Sequence, residues 1–329
     1  MNYNNKVKEN FTYLEFMKKL TNLGERQFEN IKITQKIIEE ELIKRDIEYS
    51  LFTFSTSLPN VVSSSCIIEN PNDGSTSSVE HKATCFKGGK ITSNQVIISS
   101  LTSSQDFLYK KNINFNPLCN VISKANYYFA PAIAIHREDV LKISKAKNIS
   151  ISVDVEKVDL ELNSILVGNV INPKYVVFSH FDSVESGAID NASGTSVCLD
   201  TICSNTQILE STLFVFDANE ELSYDEPVYW GRGYRQFEKQ YLEVLQKCEQ
   251  IIVVDCVGYS NTNEYKDEGL LKLAFPITHI ESLQDKISVL AGDFDELMRV
   301  YHSSDDRVDV IRNEYYQDAK EKLIKLLNK

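Results

Sequence analysis

His180 and Asp182 stand two positions apart, directly after the short apolar run Tyr175–Phe178, and a turn containing Gly and Ser then delivers Asp190 and Asn191. Two more apolar runs finish the same way. Leu213–Phe216 leads into Asp217-Ala218-Asn219-Glu220-Glu221, and Ile251–Val254 ends in Asp255. His302 follows Val300-Tyr301. Imidazole and carboxylate are the donors that hold hard or borderline divalent ions for hydrolysis, with one position left for water. Two such ions sit about 3.5–4 Å apart, a gap one carboxylate can bridge. Asp190, in its Gly-Ala-Ile-Asp-Asn turn, could aim an oxygen at each ion. His180 and Asp255 would complete one ion, Glu221 and His302 the other. Asp182 is placed to hold the His180 imidazole and fix its tautomer. Neighbouring side chains diverge, so Glu220 and Glu221 should not both be ligands. One of the two is then free to take a proton from an activated water and return it to a leaving amine, and our reading gives that role to Glu220.

Each piece alone has a plainer explanation. A solitary His-x-Asp is usually a turn or a satisfied core pair. A Glu-Glu pair is usually a solvated face or a helix start, and His302 in HSSDD could belong to a helix cap. Asp255 is less easily dismissed, because a charge ending a buried strand must be paired or coordinated. The weight lies in the joint occurrence, in order, of five candidate ligands at or just beyond apparent strand ends.

Positioning these residues takes an α/β framework. Strands of β-branched and aromatic residues that end in polar groups match an open sheet, where ligands sit outside the carboxyl ends of parallel strands. We expect a mixed, mostly parallel central sheet flanked by helices, with a smaller β-rich insertion. Phe28–Lys44 carries Ile31, Ile37, Ile38, Leu42 and Ile43 near a helical period. Ile47–Leu51 alternates with period two, and Phe52 and Phe54 carry the apolar side to the other face, so this strand is expected to be covered on both. Val61–Ile68, Val96–Leu101 and Ile149–Val155 also read as strands, with turns at Asn70–Gly74 and Lys87–Lys90. Ala192–Cys203, Gly231–Lys247 and Asn313–Lys329 read as helices, and Leu270–Pro276 as a further short strand. Residues 1–54 and 149–329 are expected to form the catalytic domain, and 55–148 the insertion.

Composition narrows the partners. The chain of 329 residues is 42% hydrophobic and 25% charged, with a net charge of −12 and no long basic run. Nucleic acid and anionic membrane, which need a cationic face, are disfavoured as partners. The acidic body suits a cationic ligand such as a free amino terminus. MNYNNKVKENFTY lacks the apolar core of a secretory signal, and no apolar run approaches the roughly 20 residues a membrane helix needs. The seven cysteines are scattered without a C-x-x-C pair. They read as reduced core thiols of a cytoplasmic protein rather than a disulfide framework.

HFDS, GAIDNASG, FDANEEL, VVDCVG and YHSSDDRVD, in this order, resemble the motifs of the co-catalytic dizinc aminopeptidases, a family that includes aminopeptidase Y and bacterial leucyl aminopeptidases. The resemblance covers roughly 163–309. LGERQFEN is similar to the family's leading helix, and YYFAPAIAIHREDVLKI to the end of the protease-associated insert of some members. It implies a zinc exopeptidase fold and two zinc ions, with cobalt or manganese as substitutes. It also implies peptide substrates with a free N-terminus, His180 and Asp255 on one ion, Glu221 and His302 on the other, and Asp190 between. Glu220 falls on the general base and Asp182 on the acid behind the histidine. Tyr301 falls near a tyrosine that steadies the oxyanion in some members, although a core aromatic is the plainer reading. Asp306 matches an acid four residues beyond the last histidine. The LSYDEPVYWGRGY loop is longer than the family's usual one, a departure that bears on substrate preference.

A glutaminyl cyclase is the alternative enzyme, since that related fold carries a longer loop with a tryptophan after its Glu-Glu pair, as Trp230 does here. A non-catalytic relative is a third possibility, but such proteins lose ligands and none is missing from this sequence.

Overall fold

A computed structural model describes residues 11–92, 96–101 and 105–328. Most of MNYNNKVKENFTY lies outside these residues, as does Lys329 of the expected terminal helix. No described helix is long and apolar enough to cross a membrane.

Four parallel strands form the centre of a nine-stranded sheet, in the order Ile287–Ala291, Gln250–Val254, Tyr175–His180 and Thr212–Asp217. Their apolar residues are almost wholly excluded from solvent, which is why they read as unbroken runs of Val, Ile, Leu and Phe. The remaining strands join antiparallel: Asn263–Tyr265 on one edge, then Asn148–Gly168, Ser50–Glu69 and Thr76–Ser78 on the other, with Gly89–Thr92 also on Asn148–Gly168. The sheet is therefore mixed, parallel at its centre and antiparallel toward both edges. Helices Glu29–Ile43, Gly194–Ser204, Arg232–Lys247 and Asn313–Leu327 bury apolar faces as part of the same core.

Ser50–Glu69 and Asn148–Gly168 run as one long antiparallel pair from Ser50 opposite Leu166 to Glu69 opposite Asn148, with an irregularity between Val61 and Ser63. Sequence alone divides the first of these into two strands. Phe52, Phe54, Thr56 and Leu58 are buried in alternation, while Leu51 is 45% exposed, so this strand is covered on one face rather than both. Between the two long strands lies a second, four-stranded sheet of His81–Ala83, Ala132–Ile135, Asn112–Phe115 and Val96–Ser99. It has its own apolar cluster, which includes Ile98, Ile113, Ile133, Ile135 and Ile151.

Two local expectations fail, and one strand is absent from the sequence reading. Leu270–Pro276 is not a strand: Glu268–Ala274 is a helix whose amino end is capped by the Asp267 carboxylate accepting the Leu270 N–H. LGERQFEN is largely the connection between helices Tyr13–Thr21 and Glu29–Ile43 rather than a helix. The fourth parallel strand, Ile287–Ala291, escapes the sequence reading because five apolar-rich residues carry no period of their own.

Candidate metal centre

His180 is the last residue of its strand and is 0% exposed. Its Nδ1 lies 3.3 Å from Oδ1 of Asp182 and 3.2 Å from the Asp182 carbonyl. An Nδ1–H donated there leaves the Nε2 lone pair facing outward, the state a metal ligand needs. The Asp182 carboxylate also accepts the N–H groups of Glu220 and Glu221, each at 3.0 Å. One buried acid thus orients the imidazole and fixes the backbone of the adjacent strand's glutamate pair. The Gly231 N–H bonds the Glu220 carbonyl from the start of the next helix.

Asp190 lies in the turn between that strand and helix Gly194–Ser204. Its backbone and that of Asn191 leave the helical region, with φ of −113° and −136°, and the peptide between them is cis. Asn191 ties this turn to two strands, donating to the Val254 carbonyl at 2.9 Å and to Ser179 Oγ at 3.3 Å. Asp306 holds it from the other side, accepting the N–H groups of Ile189 (2.6 Å) and Asp190 (3.2 Å). Burial pushes the Asp306 carboxyl up to about 7 against those hydrogen bonds.

His302 departs from the expected strand end. It sits in a turn beyond helix Phe294–Leu297, with a left-handed φ of 49°. Its Nδ1 is 3.3 Å from the Lys124 carbonyl, so this imidazole too can turn Nε2 outward.

The two rings face opposite oxygens of one carboxylate. His180 Nε2 is 3.2 Å from Asp190 Oδ1 and 3.4 Å from Asp255 Oδ1. His302 Nε2 is 3.2 Å from Asp190 Oδ2 and 2.9 Å from Glu221 Oε2. The other Glu221 oxygen accepts the Val184 N–H at 3.1 Å. Among buried side-chain atoms with no hydrogen-bond partner are His180 Nε2, His302 Nε2 and Asp255 Oδ1. Buried polar atoms are normally satisfied, so three such exceptions around Asp190 mark a candidate cation site. Candidate ligand atoms of His180, Asp190 and Glu221 lie within 4.8 Å of one another, as do those of Asp190, Asp255 and Cys256. The donor set is nitrogen and oxygen around a potential bridge, which suits two borderline divalent ions such as zinc.

Electrostatics follow from the crowding. Burial and the neighbouring carboxylates raise Glu220 well above the usual range, with His180 opposing, and burial lifts Glu221 to about 6. Burial would also raise Asp190, but the facing His180 and His302 imidazoles bring it below the ordinary carboxylate value. For His302, burial lowers the pKa while Glu221 and Asp190 raise it further, to a net value well above normal. His180 behaves likewise, with Tyr234, Asp182, Asp190 and Asp255 outweighing burial.

A cavity of about 270 Å3 opens onto these groups. Asp190, Glu220, Glu221, Asp255 and His302 line one part, and Trp230, Leu273, Phe294, Leu297 and Met298 give it an apolar wall. Tyr301 also lines the cavity, stacked on the His302 ring with centroids 3.8 Å apart. The structure thus brings together His180, Asp182, Asp190, Glu220, Glu221, Asp255, Tyr301 and His302, with Asp306 behind the Asp190 turn.

Arg26 was not singled out. Its guanidinium is 0% exposed and donates to the carbonyls of Phe181 (2.7 Å), Ser186 (2.6 Å) and Gly187 (2.9 Å). It braces both ends of the loop between His180 and Asp190, and burial lowers its pKa to about 10, so it stays charged. Cys256 is another omission: it follows Asp255, lines the cavity and has a left-handed φ of 50°. All seven cysteines are free, and six are buried.

No family model matches this sequence, and no curated protein matches it. Solved structures do. A zinc aminopeptidase from Bacillus subtilis aligns with a TM-score of 0.64 at 14% identity, over 94% of this chain and 92% of that one. A peptidase M28 precursor from Shewanella amazonensis SB2B gives 0.63 at 13% identity, over 96% and 92%. The glutaminyl cyclase of Porphyromonas gingivalis gives 0.51 at 12% identity, over 96% of each chain. The fold is that of the zinc-dependent exopeptidases, a mixed α/β architecture that the cyclase shares.

Proposed function

We propose that the chain is a metal-dependent aminopeptidase that hydrolyses the N-terminal bond of peptides at a two-zinc centre. The observation that carries this reading is the pair of outward imidazole nitrogens, one at each oxygen of Asp190. His180, Asp190 and Asp255 would hold one ion, and Asp190, Glu221 and His302 the other. When bound, the ions supply Lewis acidity that polarises the scissile carbonyl and acidifies the attacking water. Glu220 lines the cavity but lies outside both ligand sets, and serves as the base that takes the water's proton and returns it to the departing amine. Asp182 keeps the His180 ring in the ligating orientation and the Glu220 backbone in place. Tyr301 lines the same cavity and stacks on His302, and its hydroxyl would support the developing oxyanion. The wall of Trp230, Leu273, Phe294, Leu297 and Met298 suits an apolar first side chain. The carboxylate floor suits the positive charge of a free amine.

The test is a screen of aminoacyl reporter substrates with and without a chelator. We expect release from apolar aminoacyl groups, loss with the chelator, recovery with zinc, and none from the same substrates with a blocked N-terminus. Equal cleavage of blocked and free substrates would overturn the exopeptidase assignment.

A second reading, a cyclase with one zinc, is favoured by the extended Ser223–Trp230 loop. Trp230 lines the cavity and donates its indole N–H to the Leu273 carbonyl at 2.8 Å. Conversion of an N-terminal glutaminyl peptide without hydrolysis would select it.

A further inference from the structure

Lys124 belongs to the stretch between two strands of the smaller sheet, Asn112–Phe115 and Ala132–Ile135, yet it touches both His302 and the loop that follows His180. Its backbone makes a two-way contact with His302. The Lys124 N–H donates to the His302 carbonyl at 2.8 Å, and the Lys124 carbonyl faces His302 Nδ1 at 3.3 Å. Around this contact, Ser123 and Ser303 form a β-bridge, and Ser123 Oγ donates to the Tyr301 carbonyl at 2.6 Å. Asn116 adds a bond from its side-chain amide to the Met298 carbonyl at 2.8 Å. The turn carrying His302 therefore leans on the smaller sheet's chain rather than on a strand of its own.

The Lys124 side chain runs the other way. Its ammonium, on a side chain only 8% exposed, lies 3.1 Å from Glu185 Oε1 and 2.8 Å from Glu25 Oε2. Glu185 sits on the loop between His180 and Asp190, and its second oxygen meets Lys82 Nζ at 2.8 Å. Glu25 immediately precedes Arg26, whose guanidinium clamps the same loop at Phe181, Ser186 and Gly187. Lys124 is thus a buried cation shared by two acids, and without it Glu185 keeps only Lys82 and the link to Glu25 is lost.

We propose that Lys124 is a positioning residue that joins the His302 turn to the His180–Asp190 loop, and that it thereby sets how tightly the ion at His302 is held. This rests on the two-ion reading given above. Groups that orient a metal-ligating histidine commonly change metal affinity by about 10–100-fold when removed. Lys124 has the added feature that its charge anchors the carbonyl that orients the ring.

The experiment is a zinc titration of metal-free protein against a chromophoric chelator, resolving the affinity of each ion. Thermal melts accompany it. Lys124→Met is expected to weaken one of the two ions by about 10-fold or more. Lys124→Arg, which keeps the charge, should recover most of that loss. The decisive readout is the same substitution made in a His302→Ala background. There it should change the affinity of the remaining ion by less than about 3-fold, because coupled residues are not additive. An equal loss with and without His302 would mean that Lys124 acts on the fold at large, and would overturn the proposal. So would wild-type affinity for both ions in Lys124→Met. Should Lys124→Met fail to fold, Glu185→Gln keeps the lysine and removes one partner charge. It is then expected to weaken the same ion only when His302 is present, and the same two contrary results apply. Wild-type protein that takes up no second ion would instead overturn the two-ion reading, and this positioning role with it.

Discussion

The Nε2 atom of His302 lies 3.2 Å from Oδ2 of Asp190, on the opposite oxygen from the one that faces His180. Asp190 is 4% exposed, and its backbone N–H is held by Asp306, so its orientation is set from outside the cluster. A carboxylate fixed in this way between two imidazoles is placed to bridge two ions.

Asp190→Asn tests that bridge. The amide keeps the shape and the Asp306 contact but presents only one oxygen and no charge. Zinc content per chain should fall to one or fewer, and peptide hydrolysis should fall by at least about 100-fold. Metal analysis after dialysis reads the outcome. Two retained ions would remove Asp190 from the shared position.

Glu220→Gln separates proton transfer from metal binding. Positioned acid–base groups contribute about 100- to 10,000-fold, so kcat should drop by that order. Zinc content should remain that of the wild type, because Glu220 is not in either ligand set. Near-normal turnover in this variant would reject its role as base.

Arg26 makes three charge-assisted hydrogen bonds to carbonyls in a fork that an ammonium cannot reproduce. Arg26→Lys should cost about 2–4 kcal/mol of stability, read from urea unfolding. It should also weaken zinc binding, since the loop it braces runs from His180 to Asp190. A variant as stable as the wild type would show that the fork is dispensable.

Glu41 gives a pH signature far from the site. Burial would raise its pKa, but hydrogen bonds from Lys44, Lys19 and Arg45 bring it from 4.5 down to about 2. A depressed carboxylate contributes stability that is complete above the unfolded-state value and lost as pH falls through the folded one. Glu41→Gln should therefore destabilise by about 1–3 kcal/mol at pH 7. The gap from the wild type should close as the pH drops from 4.5 toward 2. Urea midpoints across that range check it, and a constant gap would contradict the assigned cause.

Much of the centre could be read from residue order because three of its strands are buried on both faces. Tyr175–His180, Thr212–Asp217 and Gln250–Val254 are short apolar runs that stop at a polar group, and that interruption is visible in one dimension. His302 was recognisable by type but not by element, since a turn in left-handed backbone leaves no hydrophobic period. Arg26 and Lys124 were illegible for a different reason. Their partners are carbonyls and acids distant in sequence, and nothing in GERQ or SKAN distinguishes a buried cation from an ordinary exposed one. Leu270–Pro276 misled because a short apolar run fits a strand and a one-sided helix equally well. The Asp267 cap, three residues before Leu270, was the signal that could have decided it.

Zinc counted per chain on intact protein, by native mass spectrometry beside elemental analysis, tests the two-ion centre most directly. The wild type should carry two ions and His302→Ala one. A wild-type chain that saturates at one ion, or binds none, would contradict it.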